Sequence, residues 1–135
     1  MYFRLKITDW KMKRILALQF AFDWFIYEVH KVDYDPLREI EAFWNHYALD
    51  AISANILQLL STYLDGGAGE NKLLKDEEMQ EFATALYRVL IAYNVANYRN
   101  IDLRKMQLSA EAEERIGKEL ELSKKVAEFF GRLSK

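Results

Sequence analysis

Between Ile15 and Tyr27, 11 of 13 residues are apolar, and at about 100° per residue only Gln19, Asp23 and His30 make a polar strip. A helix apolar nearly all round must be covered on several sides. The pattern therefore predicts a first helix, Thr8–His30, that lies innermost in its bundle or shares one face with a second subunit. Ahead of it, Phe3, Leu5 and Ile7 alternate with Arg4 and Lys6. That period fits an extended arm over Met1–Ile7 or a backward extension of the helix. Thr8 or Asp9 supplies an N-cap oxygen.

A second helix starts at Asp35-Pro36, with Asp as cap and Pro at the first helical position, where its missing N–H costs nothing. Ile40, Trp44, Tyr47, Ala48, Ala51 and Ile52 share one arc; Ile56, Leu59, Leu60 and Tyr63 continue it with a drift. The drift predicts one helix to Leu64 with a bend near Ser53–Asn55 or a change of packing partner. Asp65–Asp76, with three glycines in four positions, reads as a turn. It is no phosphate loop, because no Gly-Lys-Ser/Thr follows and no strand precedes it.

Asp76 caps a third helix whose acids Glu77 and Glu78 suit the positive end of the helix dipole. Met79, Phe82, Ala83, Leu86, Leu90, Tyr93 and Asn97 form its inner face. Its back, Glu81, Ala85, Arg88, Ala92, Val95 and Arg99, is half charged and half small; it is read as a solvent face, with a contact surface as the alternative, since small residues let another helix approach closely. After a polar connector, Arg99–Leu108, Ser109 caps the last helix. Its inner stripe is Ala112, Ile116, Leu120, Ser123, Val126, Ala127, Phe130 and Leu133. Glu114 with Lys118, Glu121 with Lys125 and Glu128 with Arg132 are acid-first i,i+4 pairs that mark its solvated face. These elements predict one all-α domain over residues 1–135, a helical bundle of about four long helices.

The length of 135 residues suits a single core. A charge of -2 argues against a chain that coats nucleic acid or anionic membrane with its whole surface, and the absence of cysteine excludes disulfides and thiol catalysis. Arg14, Asp23 and Glu28 break the first helix as a membrane span, and no small-residue cleavage site follows it. The expected location is cytoplasmic, without membrane contact.

Three acidic arrangements deserve weighing as chemistry. Glu39, His46 and Asp50 stand on one face of the second helix, but that face points to water and three turns separate them. Asp23, in the strip with Gln19 and His30, would have a raised pKa if buried; the alternatives are a solvent-facing strip or an ion pair with Arg88 or Arg14. Glu78 with Glu81 and Glu111 with Glu114 have the Glu-x-x-Glu spacing of all-α nucleotide pyrophosphatases. Both pairs sit in first turns, where the dipole favours acids anyway, and no partner Glu-x-x-Asp follows. No Glu-x-x-His of a ferritin-like site occurs. The expectation is a non-enzymatic protein with no cofactor and no metal.

Two basic-aromatic clusters remain: Trp10 with Lys11, Lys13 and Arg14, and Tyr98 with Arg99, Arg104 and Lys105. Cations beside an aromatic ring suit the backbone and bases of RNA or single-stranded DNA. The six Lys/Arg residues are the nucleic-acid candidates, and Phe20, Phe22, Trp24 and Phe25 are the protein-interface candidates. Size, bundle character, lack of a catalytic set and local basic patches resemble the small helical subunits of Cascade-like CRISPR effector complexes. The resemblance is one of type over the whole chain, with no family residue carried across. It implies an architectural subunit that braces a multi-subunit assembly and touches the nucleic-acid backbone. The alternative is a stand-alone homodimeric adaptor or regulator without a nucleic-acid role.

Overall fold

The computed structural model describes residues 2–64 and 76–134, with backbone alone for 2–12, 14–15, 62–64 and 76. The turn expected over Asp65–Asp76 lies outside the described residues, apart from the backbone of Asp76, as do the side chains of Thr8, Asp9 and Trp10. Five helices follow one another: α1 (Tyr2–Val29), α2 (Pro36–His46), α3 (Leu49–Leu64), α4 (Asp76–Tyr98) and α5 (Ala110–Leu133), with a 3-10 turn at Leu103–Lys105. The all-α architecture stands, and no strand occurs among the described residues. The first helix runs back through Tyr2–Ile7, so the extended-arm alternative is ruled out.

The single second helix of the sequence reading is two helices. α2 begins as expected, with Asp35 Oδ1 accepting from the Leu37 N–H at 3.1 Å. The break comes at Tyr47, whose φ of -110° and ψ of 124° are extended, rather than as a bend at Ser53–Asn55. Two side chains of α5 sustain it. Arg115 donates to the carbonyls of Trp44 and, at 3.2 Å, Tyr47 at the end of α2. Glu119 accepts from the Leu49 N–H at 3.1 Å, at the start of α3. A cation at a helix C-terminus and an anion at a helix N-terminus each complement the dipole, and Arg115 and Glu119 are themselves paired at 3.5 Å.

The hub is α4, not α1. It packs most extensively on α2, then on α1, with α3 touching it. Ile40 and Phe43 of α2, Ile52 of α3, and Phe82, Val89, Ala92 and Ala96 of α4 form one buried cluster. Ala92 is fully buried, and Ala85, Arg88 and Val95 are half-buried, so over this middle stretch the contact-surface alternative for the back of α4 holds and the solvent reading does not; Glu81 and Arg99 at its two ends are exposed. Trp44 Nε1 donates to the Tyr93 hydroxyl at 2.7 Å, joining α2 to α4 at the edge of this cluster. Arg88 donates to Glu39 of α2, lies 3.9 Å from Glu28 of α1, and stacks 4.2 Å above the Phe25 ring.

α4 ends in a left-handed residue, Asn100, with φ of 55°. The Ile101 N–H bonds the Ala96 carbonyl at 2.9 Å and the Asn100 N–H bonds the Asn97 carbonyl at 3.2 Å. This is the Schellman pattern, with Asn in the place usually held by glycine. α5 starts as expected, with Ser109 Oγ accepting from the Ala112 N–H at 3.2 Å. Its partners run out early: Ala112 is buried, Ile116 is half-buried, and every residue from 120 to 134 is exposed.

Candidate interaction surfaces

Burial sorts α1 into two faces. Phe25 and Val29 are buried, and Phe22 is half-buried, because this side meets α4; the Phe22 ring stacks on Tyr87 at 4.1 Å. Phe22 and Phe25 thus serve this chain's own packing. The opposite face carries Leu16, Phe20, Trp24 and Tyr27 at helical spacing, each between 51% and 69% exposed. Phe20 and Trp24 are stacked with centroids 6.4 Å apart, Trp24 and Tyr27 are 5.4 Å apart, and Lys31 Nζ sits 5.3 Å from the Tyr27 ring. The result is an outward ladder of three rings ending in a cation, and the sequence reading named two of its members, Phe20 and Trp24.

Beside the ladder run Gln19, Asp23 and His30, all exposed, with Gln19 Nε2 donating to Asp23 Oδ1 at 3.1 Å. Of the readings open to Asp23, the solvent-facing strip holds: the side chain is exposed and hydrogen-bonded to Gln19. Nor does Arg88 serve Asp23, since it is engaged by Glu39 and Glu28. Glu39, His46 and Asp50 do not converge, because Asp50 lies beyond the break in α3 and Glu39 is paired with Arg88. Among the described residues, no three His, Asp or Glu side chains gather where a metal ion could sit.

The basic candidates fall into separate environments. Lys13 is exposed on α1, while the side chains of Lys11 and Arg14 lie outside the described residues. Arg99 reaches back to the other end of α1 and donates to the Val29 carbonyl at 3.0 Å and the Tyr34 carbonyl at 3.1 Å. With a rise of about 1.5 Å per residue, Lys13 and Val29 are roughly 24 Å apart along the helix, so the two clusters form no single patch. Arg104 is bound to Asp102 by contacts of 3.0 and 3.3 Å. These hydrogen bonds hold the Asp102 carboxyl below the usual range. Lys105 and Tyr98 are exposed.

A shallow hollow beside Arg88 is walled by Glu28, Lys31, Asp35 and Glu39, with Tyr34 at its edge. Burial, and next the charge of Glu39, pushes the Tyr34 hydroxyl up to about 12. That hydroxyl has no hydrogen-bond partner.

The sequence reading missed how much apolar surface α5 leaves open. Leu120, Leu122, Val126, Phe129, Phe130 and Leu133 are between 47% and 67% exposed. The periodicity that marked several of them as an inner stripe is the same whether another element covers the stripe or not. Against one flank of α5 and the start of α3 lies an open groove of about 710 Å³. No known protein family, curated protein or solved structure matches the chain. No described helix is long and apolar enough to cross a membrane.

Proposed function

We propose that this chain is a non-enzymatic subunit of a larger protein assembly, docking on another subunit through the outward face of α1. The observation that carries this reading is the Phe20, Trp24 and Tyr27 ladder, exposed beside Leu16 and flanked by polar Gln19, Asp23 and His30. Contiguous exposed apolar surface with a polar rim is the mark of a partner site, and Trp and Tyr dominate the energetics of such sites. Tyr27 presents a ring whose face already holds Lys31, so the partner surface that suits it is apolar at its centre and acidic at that edge. A nucleic-acid role is less well supported by the geometry, because Arg99 is committed to two carbonyls and Arg104 to Asp102.

The test is the size of the tagged chain in extract of its native cells. The 16.0 kDa chain is expected to elute well above the mass of its own dimer. Phe20→Asp with Trp24→Asp is expected to return it to that mass or below. Elution of the wild-type chain at or below the dimer mass, or the same large species in the variant, would overturn the reading. Salt-sensitive binding of labelled RNA or single-stranded DNA, abolished by neutralising Lys11, Lys13 and Lys105, would replace it with the nucleoprotein reading.

A further inference from the structure

The last four turns of α5, about 14 residues, are left uncovered by the fold, since residues 120–134 are all exposed. On a projection of about 100° per residue, Leu122, Val126, Phe129 and Leu133 fall within an arc of about 60°, with spacings that alternate four, three, four. Such a seam is the pattern by which one helix lies along another. The four seam side chains expose on the order of 400 Å² per copy, about half of the roughly 800 Å² per partner of a standard interface, and the groove supplies further surface.

Charge indicates what lies along it. Along one edge of the seam run Glu114, Lys118, Glu121, Lys125, Glu128 and Arg132, alternating in sign. Laid antiparallel on its own copy about a two-fold axis level with Ser123, this edge meets an opposite charge at every position: Glu114 meets Arg132, Lys118 meets Glu128, and Glu121 meets Lys125. A parallel pairing about an axis along the helices turns this edge toward the other edge of the partner's seam and forms none of these pairs. The two halves of α5 are also polarised. Residues 110–121 carry Glu111, Glu113, Glu114, Glu119 and Glu121 against Arg115 and Lys118; residues 122–133 carry Lys124, Lys125 and Arg132 against Glu128.

The groove of about 710 Å³ runs beside the acidic half, with Leu49 and Leu122 on its wall; its charged lining is four acids, Asp50, Glu111, Glu114 and Glu119, against two cations, Arg115 and Lys118, which leaves it net acidic. It is open to an apolar, basic helix. We propose that two copies of this chain pair antiparallel through α5, the Val126, Phe129 and Leu133 side of each entering the groove of the other. The contact is isologous, as a two-fold dimer requires. It depends on α5 and not on the α1 ladder, so either proposal can fail while the other stands.

Light scattering of the purified chain across micromolar concentrations is expected to give twice 16.0 kDa. Phe129→Glu, at a site already 58% exposed, is expected to weaken pairing about a hundredfold while leaving the helical circular dichroism unchanged. Lys125→Glu and Glu121→Lys are each expected to run as monomers alone and as a dimer when mixed, because only the mixture restores opposite charges. The chain has no native cysteine, which makes orientation readable. Leu122→Cys, near the axis, is expected to cross-link to itself under oxidation, and Leu133→Cys, about 30 Å from its copy, is not. A monomer at hundreds of micromolar, a dimer unmoved by Phe129→Glu, or cross-linking at Leu133→Cys as fast as at Leu122→Cys would each overturn antiparallel pairing through α5.

Discussion

Replacing Arg99 separates a structural cation from a nucleic-acid cation. Its guanidinium donates to the Val29 carbonyl, the last of α1, and to the Tyr34 carbonyl in the connector. Terminal carbonyls of a helix have no partner inside the helix, and Val29 is only 3% exposed, so water reaches this one poorly. Arg99→Ala removes two charge-assisted hydrogen bonds and leaves a part-buried acceptor unpaired. An unpaired buried acceptor costs about 1–3 kcal/mol, and the exposure of Arg99 itself moves the expected loss to roughly 2 kcal/mol. For a chain of this length, about 3–5 °C per kcal/mol translates this into a fall in Tm of roughly 6–10 °C. Urea unfolding followed by far-UV circular dichroism is the assay, with an unchanged slope expected. Arg99→Lys, a single point donor that cannot fork to both carbonyls, is expected to retain about half the stability. A loss below about 0.5 kcal/mol refutes the capping argument. So does an Arg99→Ala protein of full stability that no longer binds nucleic acid.

Phe25→Ala is expected to cost about 3–5 kcal/mol, because the ring is fully buried against α4, while Phe20→Ala five residues earlier costs under about 1 kcal/mol; parallel urea titrations make the comparison. Tyr34→Phe is expected to be neutral or slightly stabilising near neutral pH, since it deletes a buried hydroxyl without a partner. Above pH 10 the difference grows. Unfolded tyrosine releases its proton near pH 10 while native Tyr34 holds it up to about 12, so wild-type stability falls as pH rises across that window and the Phe variant loses that part of the slope. Urea midpoints from pH 8 to 11.5 would show it. Gly117→Ala, where an added Cβ meets nothing within 4 Å, is expected to raise stability by about 0.5–1 kcal/mol in thermal melts without changing the oligomeric state.

The local chemistry of the chain marked where helix forms and set the starts of α2 and α5. Asp35-Pro36 and Ser109 are caps because a short side-chain oxygen reaches a free N–H wherever that sequence occurs. The sequence also marked Ile15–Tyr27 as apolar nearly all round, and it singled out Phe20 and Trp24. Three outcomes belonged to tertiary structure alone. The break at Tyr47 depends on Arg115 and Glu119, about 70 residues away, which satisfy the ends of α2 and α3 from outside either helix. The centre went to α4, whose Ala92 and Ala96 are buried in one cluster with Ile40 and Phe43 of α2; small side chains suit a solvent face and a close helix contact equally until a partner lies on them. Arg99, a phosphate candidate by composition, became a cap because the Schellman turn at Asn100 places it beside the end of α1. Periodicity tells which face of a helix is apolar. Whether this chain or another covers that face is decided by contacts between distant segments, which is why the open face of α5, and which side of α1 stays open, became visible only in the fold.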